Sequence, residues 1–144
     1  MLAFIRFPPF QGGQKAHYGV AMLTKNPPIS VQYGLPSDTD EHQKRLIAVT
    51  LPTNNGKDIT IYNGYFPQGE NIKHDTKFPY KVDFYRDLTA HLAATHGPDD
   101  QVIVMGDINI SPTDLDIGIG PDNAKRWLRS GKCSFQPIER DMLA

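Results

Sequence analysis

The feature that most confines this chain is a pair of alternating runs joined by one turn. Arg45–Leu51 reads RLIAVTL and places Arg45, Ile47, Val49 and Leu51 on one parity. Asp58–Tyr65 reads DITIYNGY and places Ile59, Ile61, Asn63 and Tyr65 on one parity. Such alternation sends each set to a single face of a strand. Between the runs, Asn54-Asn55-Gly56-Lys57 is a hairpin signal, because Asn and Gly accept the positive φ that tight turns require. Ala16–Thr24 (AHYGVAMLT) reads as a buried strand, and Ile29–Tyr33 as a second, short one after Asn-Pro-Pro. Leu35–Lys44 is polar and loop-like. An antiparallel meander is expected.

The second half changes period. Phe84, Leu88 and Leu92 recur at i, i+4 and i+8, with Val82, Tyr85 and Ala93 alongside, so Pro79–Thr95 is expected to be an amphipathic helix. Pro79 suits its first turn and Gly97-Pro98 stops it. Val102–Met105 (VIVM) reads as a fully buried strand, and Pro121–Ser130 as a short helix closed by Gly131. Strands first, then a helix-to-strand step, point to an α/β (α+β) layered fold. At 144 residues the chain is one domain's worth.

Charge and cysteine content exclude several classes. A net charge of −1 leaves no basic footprint for nucleic acid at whole-chain level. Cys133 is the single cysteine, so neither an internal disulfide nor a cysteine-based zinc site can form. The opening MLAFIRFPPFQGG is apolar but broken by Pro8 and Pro9, too short for a membrane span and unlike a secretory signal. The expectation is a cytoplasmic protein without a membrane partner.

Candidate chemistry lies where VIVM runs into GDINISPTDLDIG. Asp107 and Asn109 are i and i+2, and in extended backbone they point the same way. Both carry oxygen donors suited to Mg²⁺, which is often held by one or two carboxylates plus substrate phosphate. The carboxylate could take a proton from water, and the amide could donate to a phosphate oxygen as charge builds. Gly106 leaves room for close approach. The plainer alternative is an Asx turn finished by Ser111-Pro112.

A second candidate is NGYFPQG, in which Asn63 and Tyr65 end an apolar face; Tyr65 and Phe66 could equally pack at the sheet end. Arg45 and Lys77 are either phosphate contacts or snorkelling surface residues. NAKRWLRSGKC gathers Lys125, Arg126, Arg129 and Lys132 around Trp127, with Lys125 and Arg129 on one helical face. That cluster is a solvated face or a nucleic-acid contact. The five histidines have no metal-ligand spacing; His91 and His96 fall late in the helix, where they suit its C-terminal dipole.

Taken together and in order, AHYGVAML, NGYFPQG, GDINISPTDLDIG and KRWLRSGKCSF resemble bacterial exonuclease III, within the endonuclease/exonuclease/phosphatase superfamily, from about Gln14 through Arg140. Residues 1–13 match poorly, leaving 14–144 as a partial domain of that fold, which the resemblance implies is an α/β (α+β) layered sandwich, mainly antiparallel with flanking helices. The resemblance implies Mg²⁺-dependent DNA phosphodiester hydrolysis, with Mn²⁺ as a substitute: incision at abasic sites and 3′-to-5′ exodeoxyribonuclease action in base excision repair on double-stranded DNA. It implies Tyr65, Asp107 and Asn109 as catalytic, with Asp107 and Asn109 at the metal. It implies Arg45, Asn63, Gln68, Lys77, Lys125 and Arg126 on the DNA side.

Members of that family are longer at both ends and contribute a metal-binding Glu from a Q-E-T segment and a closing Ser-Asp-His. Neither segment occurs here, and Glu41, Glu70 and Glu139 fall elsewhere. The expectation is a central fragment, monomeric if folded, with little or no nuclease activity. The alternatives are an inactive or DNA-binding remnant and a phosphatase of the same superfamily.

Overall fold

The computed structural model describes residues 3–6, 19–39 and 44–143. In chain order the elements are β1 (Ala3–Arg6), β2 (Ala21–Thr24), β3 (Ser30–Tyr33), β4 (Leu46–Leu51), β5 (Ile59–Tyr65), α1 (Lys77–Thr95), β6 (Gln101–Asp107), α2 (Pro121–Ser130) and α3 (Pro137–Arg140). They fall into two compact units. The first contains Met1–Tyr65 and Ala90–Asp107, the second Phe66–Thr89 and Ile108–Ala144. Helix α1 passes from the second unit into the first.

In the first unit, β3-β4-β5-β6 form one sheet. The meander is antiparallel from β3 to β5, with Ile47 opposite Asn63 and Val49 opposite Ile61. β6 then joins β5 in parallel, with Tyr62 opposite Val104 and Tyr65 opposite Asp107. β1 and β2 make a separate antiparallel pair. Val20, just before β2, and Met22 within it pack with Ile47 and Val49 on one face of the large sheet, and Val31, Leu51, Ile61 and Tyr65 border them. Burying each such aliphatic side chain contributes about 1.5–3 kcal/mol. The layered α/β arrangement and the parity sets of β4 and β5 agree with expectation.

Three expectations change. The described part of the Ala16–Thr24 strand begins only at Ala21; residues 16–18, including His17, lie outside the described residues. Helix α1 starts at Lys77, two residues early, so Pro79 still sits in the first turn, where its missing N–H breaks no helical bond. Its buried stripe is Phe78, Lys81, Phe84, Tyr85 and Leu88, while Ala93 is exposed.

The largest correction concerns VIVM. Ile103, Val104 and Met105 are 43%, 40% and 48% exposed. Among the described residues β6 is the end strand of the sheet, and the cluster that covers the face shared by Ile103 and Met105 reaches β4 and, through Ile61 and Tyr65, β5. Neighbouring strands are ~4.8 Å apart, so that cover stops about one strand short of β6.

The second unit is built around aromatic residues. Phe66 lies 5.2 Å from both Phe84 and Tyr85, centroid to centroid, and Phe78, Ile110, Cys133 and Phe135 are buried. Helix α2 has the expected bounds, and Gly131 closes it in the left-handed conformation. Among the described residues no helix is long and apolar enough to cross a membrane.

Candidate active site

Parallel pairing of β5 and β6 makes Tyr65 and Asp107 register partners at the strand tips. Partners in a parallel ladder point to the same face, here the one that also carries Ile61 and Ile103. One step back, Gly64 opposes Gly106. Gly106 has φ +124°, and a Cβ there would lie 2.0 Å from the Gly64 carbonyl oxygen. The room that glycine leaves is thus filled by the partner strand's backbone. Any larger residue would push the two tips, and the side chains they carry, apart.

Tyr65 is half-buried and Asp107 exposed. The Arg45 guanidinium lies 5.2 Å from the Tyr65 ring centroid and donates to the Tyr65 carbonyl at 2.9 Å. The Tyr65 N–H in turn donates to the Arg45 carbonyl at 2.8 Å. Arg45 therefore braces the tyrosine. Asn63, on the same face, donates its side-chain N–H to the Ala21 carbonyl at 2.9 Å and ties β2 to the sheet.

Past the tips the chain enters the second unit at Phe66 and Ile108. Asn109 is half-buried and left-handed, with φ 53°. Asn tolerates that region better than most residues. Its Nδ2 donates to the Phe66 carbonyl at 3.0 Å, and its own carbonyl accepts from Lys81 Nζ at 2.9 Å. The Tyr85 hydroxyl donates to the neighbouring Ile108 carbonyl. Gln68 is exposed and accepts from the Glu70 N–H at 2.9 Å. Lys77 pairs with Glu70 and holds that carboxyl below its usual range, first by hydrogen bonding and then by charge.

Lys125 and Arg126 are exposed on α2, and Arg126 donates to the Asn123 side-chain oxygen at 3.2 Å. Trp127 anchors that helix: it stacks on Phe135, donates to the Cys133 carbonyl at 2.8 Å and carries Lys132 Nζ 4.8 Å above its ring.

The structure brings Tyr65, Asp107 and Arg45 together in the first unit, and places Asn109, Gln68, Lys77, Lys125 and Arg126 in the second. Asp107 offers one carboxylate, and Asn109 has a side-chain oxygen. Hard oxygen donors of this kind suit Mg²⁺, which completes its shell with water and phosphate. Among the described residues no three His, Cys, Asp or Glu side chains gather as a metal cage.

Sequence reasoning missed the supports of the 108–109 loop: Lys81, Tyr85 and Glu139. Two signals existed. Lys81 interrupts an apolar helical stripe, and Gln136-Pro137-Ile138-Glu139 has the spacing of a capping box. The partner of His91 and His96 was missed as well. Both meet the hydroxyl of buried Tyr62, at 3.3 and 2.8 Å. Burial, and then His96, hold His91 below its ordinary pKa of 6.5.

Residues 2–140 match the Endonuclease/Exonuclease/phosphatase family, and the chain belongs to it. It is 55% identical over 131 residues to exodeoxyribonuclease III of Haemophilus influenzae, covering 91% of this chain and 49% of that protein. It is 25% identical over 130 residues to the DNA repair nuclease APEX1 of Danio rerio, covering 89% and 37%. Among solved structures, a 3′ phosphatase (NExo) from Neisseria bound to a product DNA hairpin superposes with a TM-score of 0.76 at 27% identity, over 99% of this chain and 49% of that one. An AP endonuclease from Archaeoglobus fulgidus superposes with a TM-score of 0.73 at 28% identity, over 98% and 47%. The chain thus spans half or less of the length of these relatives.

Proposed function

We propose that this chain carries part of a DNA phosphodiesterase site of the exonuclease III kind, acting with a divalent cation at abasic sites and 3′ ends. The observation that carries the reading is the pairing of Tyr65 with Asp107 at two strand tips held close by Gly64 and Gly106. Likeness to an exodeoxyribonuclease III over nine-tenths of the chain supports it.

In this reading Asp107, exposed at the tip, orients the attacking water and takes its proton. Tyr65, braced by Arg45, donates its hydroxyl hydrogen to a phosphate oxygen. The Asn109 amide is assigned to a phosphate oxygen as negative charge develops there. Mg²⁺, or Mn²⁺ in its place, would be held by the Asp107 carboxylate, and would supply Lewis-acid stabilisation of the phosphate when bound. Arg45, Gln68, Lys77, Lys125 and Arg126 are assigned to the DNA backbone, and Asn63 to support beneath them.

The donor set at the tips also favours a second reading, DNA binding with little cleavage. One carboxylate holds Mg²⁺ weakly. The test is an abasic-site duplex and a 3′-phosphate hairpin incubated with the protein in Mg²⁺ or in chelator. Metal-dependent incision that falls at least ~100-fold in Asp107→Asn supports the first reading. Release of phosphate from the hairpin without incision would move the substrate to a 3′ phosphate. Salt-sensitive duplex binding with no turnover would leave the second reading. The absence of both binding and turnover would sink the assignment. The protein is expected to act in the cytoplasm as a monomer, which sedimentation of the purified chain checks.

A further inference from the structure

The second unit contains a charged pair that the proposed chemistry does not use. Lys81 and Glu139 are both 0% exposed and bonded to each other, one on α1 and the other on α3. A buried ion pair is weak evidence for stability, because desolvating two charges is unfavourable. What else these groups touch is therefore informative. Lys81 Nζ also donates to the Asn109 carbonyl at 2.9 Å and the Gln68 carbonyl at 3.3 Å. Its partners are thus the carboxylate and the backbone of two loops that carry proposed phosphate contacts.

Glu139 is fixed from the other side: its second oxygen accepts the Ser134 and Gln136 N–H groups at 2.8 and 2.9 Å. Gly69, at φ +82°, lies over the lysine stem, and a Cβ there would meet Lys81 Cδ at 2.9 Å and Cys133 Sγ at 3.0 Å. The Cys133 thiol, pushed up to about 12 first by burial, stays neutral beside them.

We propose that Lys81, neutralised by Glu139, is a positioning residue that locks Asn109 in its left-handed conformation and thereby aims the Asn109 amide. This rests on the role given to Asn109 above. Asn109 needs such a lock because a non-glycine residue at φ 53° is disfavoured and tends to relax. Its side chain is bonded to Phe66, Lys81 holds its carbonyl, and Tyr85 holds the carbonyl one residue earlier. A lysine serves here because its ammonium has three donors, and three acceptors converge on it: Glu139, Gln68 and Asn109.

The test has two arms. In the wild-type protein, a through-hydrogen-bond NMR coupling between Lys81 ¹⁵Nζ and the Asn109 ¹³C carbonyl is expected, with Asn109 ¹³Cα and ¹³Cβ shifts typical of the left-handed region. Their absence overturns the proposal without any variant having to fold. In Lys81→Met/Glu139→Gln, which leaves neither charge buried alone, the Asn109 shifts are expected to move toward extended values. Turnover of an abasic duplex is expected to fall at least 10-fold in kcat with KM changed less than twofold. Unchanged Asn109 shifts in the folded double variant, or a loss confined to KM, would overturn it. If the wild type shows the lock but no turnover, the assigned chemistry fails while the positioning of Asn109 stands.

Discussion

β4 and β6 are both apolar strands of one sheet, and their fates differ. In β4, Ile47 and Val49 are 0% exposed under Val20 and Met22; in β6, Ile103 and Met105, on the same face, are 43% and 48% exposed. β4 is flanked by strands on both edges, whereas β6 ends the sheet. Hydrophobic composition therefore marks a strand without saying how much of it is covered. It follows that β4 stabilises the unit through its side chains. β6 does so through its backbone, above all where Gly106 lies against Gly64.

Substitutions can break or sharpen this contrast. The largest effect is expected at a β6 glycine, not at its apolar residues. Gly106→Ala combines a Cβ inside another residue's backbone with a disfavoured φ, and should destabilise by about 3–5 kcal/mol as read by urea unfolding. Ile47→Ala should follow, at about 2–4 kcal/mol, because it opens a cavity in a covered layer. A smaller loss there would mean that the small sheet does not seat firmly on β4.

The opposite face of the same sheet supplies the next effect. His91 is depressed from 6.5, so the unfolded chain binds the extra proton first. Stability should be full above about pH 6.5 and should fall as pH drops through the lower, folded value. His96 meets the same Tyr62 hydroxyl, and Asp100 lies 3.9 Å from its other ring nitrogen. His91→Gln should flatten thermal melts recorded between pH 7 and pH 5. Equal acid sensitivity in the variant would place the effect elsewhere.

Smallest of all, Ile103→Thr and Val104→Thr should shift stability by less than about 0.5 kcal/mol, since exposed positions rarely matter more. Their signature should be in solubility instead. The stretch from Val102 to Gly106 has no charged residue, and an uncharged edge strand invites pairing with other chains. A large loss of stability in either variant would mean that β6 is covered in solution.

Much of the local structure was legible. The β4–β5 hairpin, the stop of α1 and the cap of α2 at Gly131 follow from alternation, Gly-Pro and a left-handed glycine, all of which act within a few residues. Asp107 at the tip of an apolar strand was legible for the same reason; the extended backbone expected through Asn109 was not borne out, since Asn109 is left-handed at φ 53°. Arg45's grip on Tyr65, the Lys81–Glu139 pair and the meeting of two histidines at Tyr62 were not. The pair joins residues 58 apart in sequence, and no local pattern encodes such a partner.

By itself, then, the sequence determined which segments alternate, where the helices stop, and that an acid and an amide follow an apolar strand, because backbone preference and capping are short-range. Only the tertiary structure decided that VIVM stands at an exposed edge, that Asp107 is the register partner of Tyr65, and that a buried lysine holds the Asn109 backbone. The physical reason is that coverage, register and the partner of a buried charge are set by which distant segments come into contact.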